Sequence, residues 1–401
     1  MKNSKTPISR RQILKALSAS GAALVGTGLL HSKLALSAQL KMAKTKSDNI
    51  LIWIILRGAW DGLNVVVPYG DPYYYQHRPT LGIEANELLK IDGLFGFNPA
   101  LKQMHQMYKD RELSFAHAIA SPYRSRSHFD GQKILENGTQ KPNEPSGWLN
   151  RLIGIDKHHK AIAIDRVLPL ILQGDAMTDS WYPNRLDEQQ FETELLQEML
   201  ANNPSLSKSF AQAIKIENMT SQMGADKNQA KNIKALTKQA ARFLKSDDEN
   251  SPNIVALELS GWDTHAGQGT LNGRLANNLK RLETAIISLK QNLGQKWQKT
   301  VIIGCSEFGR TVKQNGTGGT DHGTGSALLL AGGAINGGQI ITDWPSLKPS
   351  SLFEGRDLQP TMDVRSVFKT ILIEHLEITQ SDAEQIFPQS AAAKPLDNII
   401  S

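Results

Sequence analysis

The chain has 401 residues, 40% hydrophobic and 21% charged, which excludes a disordered protein and leaves room for one large core or two smaller ones. Its formal net charge is +6, yet residues 1–38 carry Lys2, Lys5, Arg10, Arg11, Lys15 and Lys33 and no acid. Without that segment the body balances at 39 basic and 39 acidic residues, so composition makes no electrostatic case for a nucleic-acid partner.

In the first 38 residues, "SRRQILK" sets paired arginines ahead of the uncharged "ALSASGAALVGTGLL". That apolar run is short and glycine-rich, and predicts no stable transmembrane helix once the segment is removed. A basic head, a mild apolar middle and small residues around Ala35–Ala38 are the parts of an export signal, the alternative being a disordered basic tail. The pattern resembles a bacterial twin-arginine signal, with Ile13 where Phe is commoner. That resemblance implies the twin-arginine translocation machinery as a partner and a periplasmic or otherwise exported protein. Cys305 is the only cysteine, so no intramolecular disulfide can form, and its place at the end of an apolar run predicts a buried thiol.

Residues 39–48 are polar and lysine-rich and predict a linker to a single domain over 49–401. "ILIWIIL" (50–56) is continuously apolar, as expected of a strand covered on both faces. Similar runs recur at 113–120, 167–174, 253–260, 300–306 and 326–333. Between them lie segments of helical spacing: Leu275, Leu279, Leu282, Ile286 and Leu289 share one face, and Val367, Phe368, Ile371, Leu372 and Leu376 another. Strands alternating with amphipathic helices predict an α/β fold, a mainly parallel central sheet with helices on both faces. Residues 185–250, polar and rich in Gln, Lys and Asn, predict a helical insertion beside it.

Ligands of such sheets sit beyond the carboxyl ends of the strands. After the first run, "RGAWDGLN" presents Asp61, either a turn aspartate bonding its own backbone or a ligand. After 113–120, Ser125, Ser127 and His128 precede a helical segment. A serine there caps the helix or offers a hydroxyl nucleophile, and Arg124 and Arg126 beside it suit an anion. In "GWDTHAGQ", Asp263 and His265 lie two apart and share a face if strand geometry persists, a mixed N/O pair suited to Zn, Mn or Fe. Glu307 follows the 300–306 run, with Arg310 as a further anion-binding candidate. The glycine-rich stretch to "GGTDHG" then delivers Asp321 and His322 ahead of the run at 326. The alternative is a plain surface loop. Six O or N donors (Asp61, Asp263, His265, Glu307, Asp321 and His322) are thus expected at one sheet edge, around a divalent metal (Zn, Mn, Fe or Ca) or an anion.

"LRGAWDGLNVVVPYGDPYYYQHRPTLGI", "SRSHFDGQ", "GWDTH", "SEFGRT", "GGTDHG" and "TMDVRSVFKTIL", in this order, resemble the DUF1501 family of exported bacterial proteins. That family is similar in fold to the alkaline phosphatase and sulfatase superfamily, whose members hold two metals around a Ser or Thr nucleophile. The resemblance implies Asp61 as the metal-binding Asp after the first strand, and Ser127 or Ser125 near the nucleophile position. It implies Asp263 and His265 in one metal site, Glu307 where an Asp-His pair is usual, and His322 as the final metal-binding His. The Asp263–His265 spacing is shorter than the superfamily's D-x-x-x-H, and Phe308 stands where a His is expected. If "TDHG" matches the superfamily's "DHG" instead, the final His is missing, so either alignment weakens one metal site. The resemblance implies a metal-dependent hydrolase of small phosphate or sulfate esters. The departures imply a catalytically degenerate envelope protein with a binding or assembly role.

Overall fold

The computed structural model describes residues 48–183, Ser207 and residues 232–401. The signal segment, residues 39–47 of the expected linker and nearly all of 185–231 of the expected insertion lie outside the described residues.

The strands of the main sheet, in chain order, are β1 (Ile50–Arg57), β2 (Leu113–Ala120), β3 (Ala161–Ala163), β4 (Asp179–Ser180) and β5 (Ile254–Ser260). They continue with β6 (Thr300–Cys305), β7 (Ser326–Ala331), β8 (Ile340–Ile341) and β9 (Met362–Asp363). Among the described residues they form one nine-stranded sheet of order β8-β2-β7-β6-β1-β5-β3-β4, with β9 beside β2. β1 runs parallel to β5 and β6, and β3 parallel to β5. β7 is antiparallel to both β2 and β6, so β2 points the same way as β6. The carboxyl ends of β1, β2, β5 and β6 therefore share one edge, and β7 enters the sheet from that edge.

Five of the six apolar runs are strands. The sixth, 167–174, is not: Pro169 has no N–H to give a ladder, and Leu170–Leu172 make a single 3-10 turn with Ile171 and Leu172 buried. A strand position beyond β5 is taken instead by the short "AIA" of β3.

The alternation along β1 separates the two layers. Ile50, Ile52, Ile54 and Leu56 pack on one face with Met104 and Met107 of α1 (Lys102–Lys109) and with the buried leucines of a long helix, Arg274–Leu293. Leu51, Trp53 and Ile55 pack on the other with Trp148, Leu149 and Leu152 of the helix Trp148–Ile155 and with Val364, Val367 and Phe368 near the C-terminus. Fully burying one such side chain is worth about 1.5–3 kcal/mol. All five leucine and isoleucine positions predicted for the face at 275–289 are buried. Of the expected insertion, Ile233–Lys245 is a helix packed on the same face as that long helix, its Ala240, Ala241, Phe243 and Leu244 buried.

Candidate metal centre

At the shared edge, β1 is followed by Gly58, whose φ of 116° brings its backbone so close to the β5 loop that a Cβ would lie 2.5 Å from the Asp263 nitrogen. The Gly58 N–H donates to Glu307 Oε1 at 2.9 Å. Glu307, fully buried where β6 ends, also accepts from Gln132 Nε2 at 3.0 Å, and the His128 ring stands against it at 2.7 Å. Burial pushes this carboxyl up, but the bonds from His128, Gln132 and Gly58 outweigh it and hold it below its ordinary value. Gln132 is itself oriented by Arg57 Nη1, which donates to its Oε1 at 3.0 Å.

His128 opens the helix His128–Asn137, α2, one residue after its N-cap Ser127. Its Nδ1 faces Glu307, His265 Nδ1 faces Asp321 Oδ1 at 3.0 Å, and His322 Nδ1 faces the Arg126 carbonyl at 3.0 Å. An ionised carboxylate and a carbonyl have no hydrogen to give, so in each neutral ring Nδ1 carries the hydrogen and Nε2 presents its lone pair. Those three Nε2 atoms converge: His128 to His322 at 2.8 Å, His265 to His322 at 2.9 Å. Asp263 joins them, with Oδ1 3.1 Å from His265 Nε2 and 3.4 Å from His322 Nε2, and Oδ2 3.6 Å from His128 Nε2. Lone pairs pointed at one another and at a carboxylate repel unless a cation stands among them. A tetrahedral ion with bonds of about 2.0–2.1 Å sets its ligand nitrogens about 3.3 Å apart. The two nitrogen–nitrogen spacings, 2.8 and 2.9 Å, are shorter than that, and the nitrogen–oxygen spacings to Asp263 run from 3.1 to 3.6 Å.

His128, Asp263 and His322 each bring a ligand atom within 4.8 Å of the others, and His265 extends the group through its contacts to two of them. Arg310, itself buried, donates to Asp263 Oδ1 at 2.7 Å and to Thr320 Oγ1 at 3.2 Å. Partial burial pushes Asp263 up, yet the Arg310 guanidinium more than offsets this and lowers it. The His128 pKa is raised, first by its bond to Glu307 and against its burial, whereas burial and the neighbouring His128 and Arg310 charges lower His322. The Asp263 and His265 side chains are both 44% exposed, so the cluster opens to solvent on the β5 side.

The glycine-rich stretch after β6 is no loose loop. A Cβ at Gly319 would lie 2.3 Å from the Thr264 carbonyl, so only glycine lets this backbone press on the β5 loop. Asn315 Nδ2 and Thr317 Oγ1 both donate to the His265 carbonyl, at 2.8 and 2.6 Å. Asn315 Nδ2 also donates to Asp321 Oδ1 at 3.1 Å; that bond, ahead of the His265 contact, holds the Asp321 carboxyl below its ordinary value.

Of the twelve residues singled out from the sequence, His128, Asp263 and His322 meet at one point, and His265 touches the last two. Glu307 and Asp321 stand behind His128 and His265, against the far ring nitrogens. Asp61 does not join them: it is buried, bound bidentately by Arg78 at 2.6 and 2.9 Å, and receives Gln268 Nε2 at 2.6 Å. Arg126 binds Asp357 and Glu354, and Arg310 binds Asp263. Arg124 donates to the Ser121 and Tyr123 carbonyls and has no carboxylate within ion-pair distance among the described residues. Ser127 makes no side-chain capping bond, and Ser125 lies exposed two residues before it. Sequence reasoning missed Arg78, Gln132 and Asp357. Gln132 alone had a signal, one helical turn beyond His128 on α2.

This is an α/β protein whose strand-end edge carries a His/Asp group able to hold a metal ion. The chain belongs to the DUF1501 family, described as a protein of unknown function, whose family model matches residues 114–387. No curated relative matches the sequence. Similar solved structures include the C-terminal periplasmic domain of EcEptC from Escherichia coli in complex with Zn. It is 10% identical with a TM-score of 0.35, over 72% of this chain and 74% of that one. A mutant of TAB5 alkaline phosphatase with Mg bound is 12% identical with a TM-score of 0.34, over 71% of this chain and 91% of that one. The phosphonate monoester hydrolase of Agrobacterium radiobacter is 11% identical at 0.32, over 82% and 74%.

Proposed function

We propose that this chain is an exported metalloprotein that holds one divalent transition-metal ion and hydrolyses a phosphate or sulfate ester. The observation that carries the proposal is the convergence of three Nε2 lone pairs on the Asp263 carboxylate, each ring fixed from behind by an oxygen acceptor. His128, His265, His322 and Asp263 would be the ligands. Three imidazoles and one carboxylate suit Zn, Mn or Fe, and fit Ca poorly, since it takes six to eight oxygens. A bound ion of this kind polarises an ester oxygen as a Lewis acid.

Around it the chain supplies the rest. Ser127, its hydroxyl unused in capping and next in sequence to His128, would attack the phosphorus or sulfur as its proton passes to solvent and the ester alcohol leaves, and water would then release the phosphate or sulfate and restore the hydroxyl. The α2 N-terminus beside it and Arg124 favour the anionic oxygens. Arg126 and Arg310 are occupied by carboxylates of the protein itself. The test is an ester screen with metal-loaded protein: Ser127→Ala should abolish turnover and keep the metal, and His265→Ala should lose both. Turnover unchanged in Ser127→Ala removes the serine from the mechanism.

A second reading is a degenerate envelope protein that binds one ion and a partner without turnover. Asp61 favours it, because the engagement of its carboxylate with Arg78 takes away a donor that a two-metal site would need. Absence of turnover with every ester, in protein that retains its ion, would select it. Export rests on Arg10–Arg11 and the apolar run after them; residues 1–38 fused to a folded reporter should direct it out through the twin-arginine route. Among the described residues, no helix is long and apolar enough to cross a membrane.

A further inference from the structure

The loop that carries Ser127 holds a conformation the ion alone does not explain. Arg126 sits at φ 59°, in the left-handed region where a side chain other than glycine's is strained. Such strain persists where its surroundings impose it. Here they do so through the guanidinium. Nε donates to Asp357 Oδ2 at 2.8 Å, and Nη2 is paired with Glu354. Asp357 is fully buried, accepts Thr324 Oγ1 at 2.8 Å on the same oxygen, and closes a tight turn in which the Phe353 N–H donates to its carbonyl at 2.9 Å. With the side chain held that way, the Arg126 carbonyl meets His322 Nδ1.

We propose that Arg126 is a positioning residue for the metal: Asp357, acting through the guanidinium, fixes the carbonyl that aims His322 Nε2 at the ion. The proposal rests on the metal reading above. An ion pair that only pinned the loop to the 353–357 turn would stabilise the fold and leave metal affinity alone. Positioning partners behind a ligand histidine change metal affinity by about 10–100-fold when removed.

The test titrates Zn(II) and Co(II) into the full-length protein and into Arg126→Ala, Asp357→Asn and Lys133→Ala, the last an exposed α2 residue away from the cluster. Arg126→Ala and Asp357→Asn should each bind about 10–100-fold more weakly and shift the visible Co(II) bands, with Lys133→Ala like the parent. If both bind like the parent with unchanged Co(II) bands, the positioning role is overturned and the metal reading stands. If the parent binds neither ion, the metal reading fails and takes this inference with it. Should Arg126→Ala not fold, Asp357→Asn, which keeps the side-chain shape, decides by the same two outcomes.

Discussion

His128 and His322 face each other through Nε2 atoms 2.8 Å apart, while the far nitrogen of each ring lies against an oxygen acceptor. One proton between them would satisfy that pair and leave His265, 2.9 Å from His322, facing an occupied nitrogen. One ion could satisfy His128, His322 and Asp263 together, with His265 in contact with the last two. Each supporting group also comes from a segment that supplies a ligand: Glu307 precedes His322 on the same long loop, Asp321 adjoins it, and Arg126 lies two residues before His128. The converging side chains and the groups behind them therefore order one another.

That cross-support makes Glu307 a sensitive point. Glu307→Gln removes the negative charge behind His128 and leaves an acceptor of similar shape. Metal affinity should fall by about 10–100-fold, measured by calorimetric titration, with the fold intact by circular dichroism. Unchanged affinity would mean that the Glu307–His128 contact orients nothing.

Asp61 should behave in the opposite way. Its partner Arg78 is fully buried and also donates to the carbonyls of Val312 and Thr311. Asp61→Asn leaves that charge uncompensated and should cost about 3–5 kcal/mol in urea unfolding, with metal stoichiometry unchanged. Loss of the ion without loss of stability would return Asp61 to the ligand set.

Two buried histidines outside the cluster set a pH dependence. Burial, set against bonds to the Val66 and Ile50 carbonyls, lowers His117 and His375 from 6.5 to about 4. The unfolded chain takes up these protons near pH 6.5 and the folded protein only near 4, so between those values the unfolded state binds more. Stability is then fully present above pH 6.5 and declines as pH falls to 4, by roughly 3 kcal/mol for each group. Urea midpoints across this range should show the slope, and His375→Gln should flatten it. An equal slope in that variant would contradict the assignment.

The five long strands were legible because they are covered on both faces and read as unbroken apolar runs, and the long helix because its leucines recur at helical spacing; the two- and three-residue strands β3, β4, β8 and β9 are too short to show such a run. The run at 167–174 misled: apolar content cannot tell a strand from a buried turn, and Pro169 was the sign against a ladder. Asp263 and His265 were legible because strand direction places post-strand residues at one edge, and His322 because its loop returns to that edge ahead of β7. Asp61 obeyed the same rule and still went elsewhere, since only the fold brings Arg78 onto it. Nothing in a linear pattern marks the Arg126 carbonyl, a backbone atom, as the support of His322.

The most direct measurement is the metal content of the protein purified from its native host, by mass spectrometry, beside a His265→Ala/His322→Ala variant. Close to one equivalent of Zn, Mn or Fe per chain is expected, lost in the variant. Well-folded protein free of metal from metal-replete cells, or an ion retained by the variant, would contradict it.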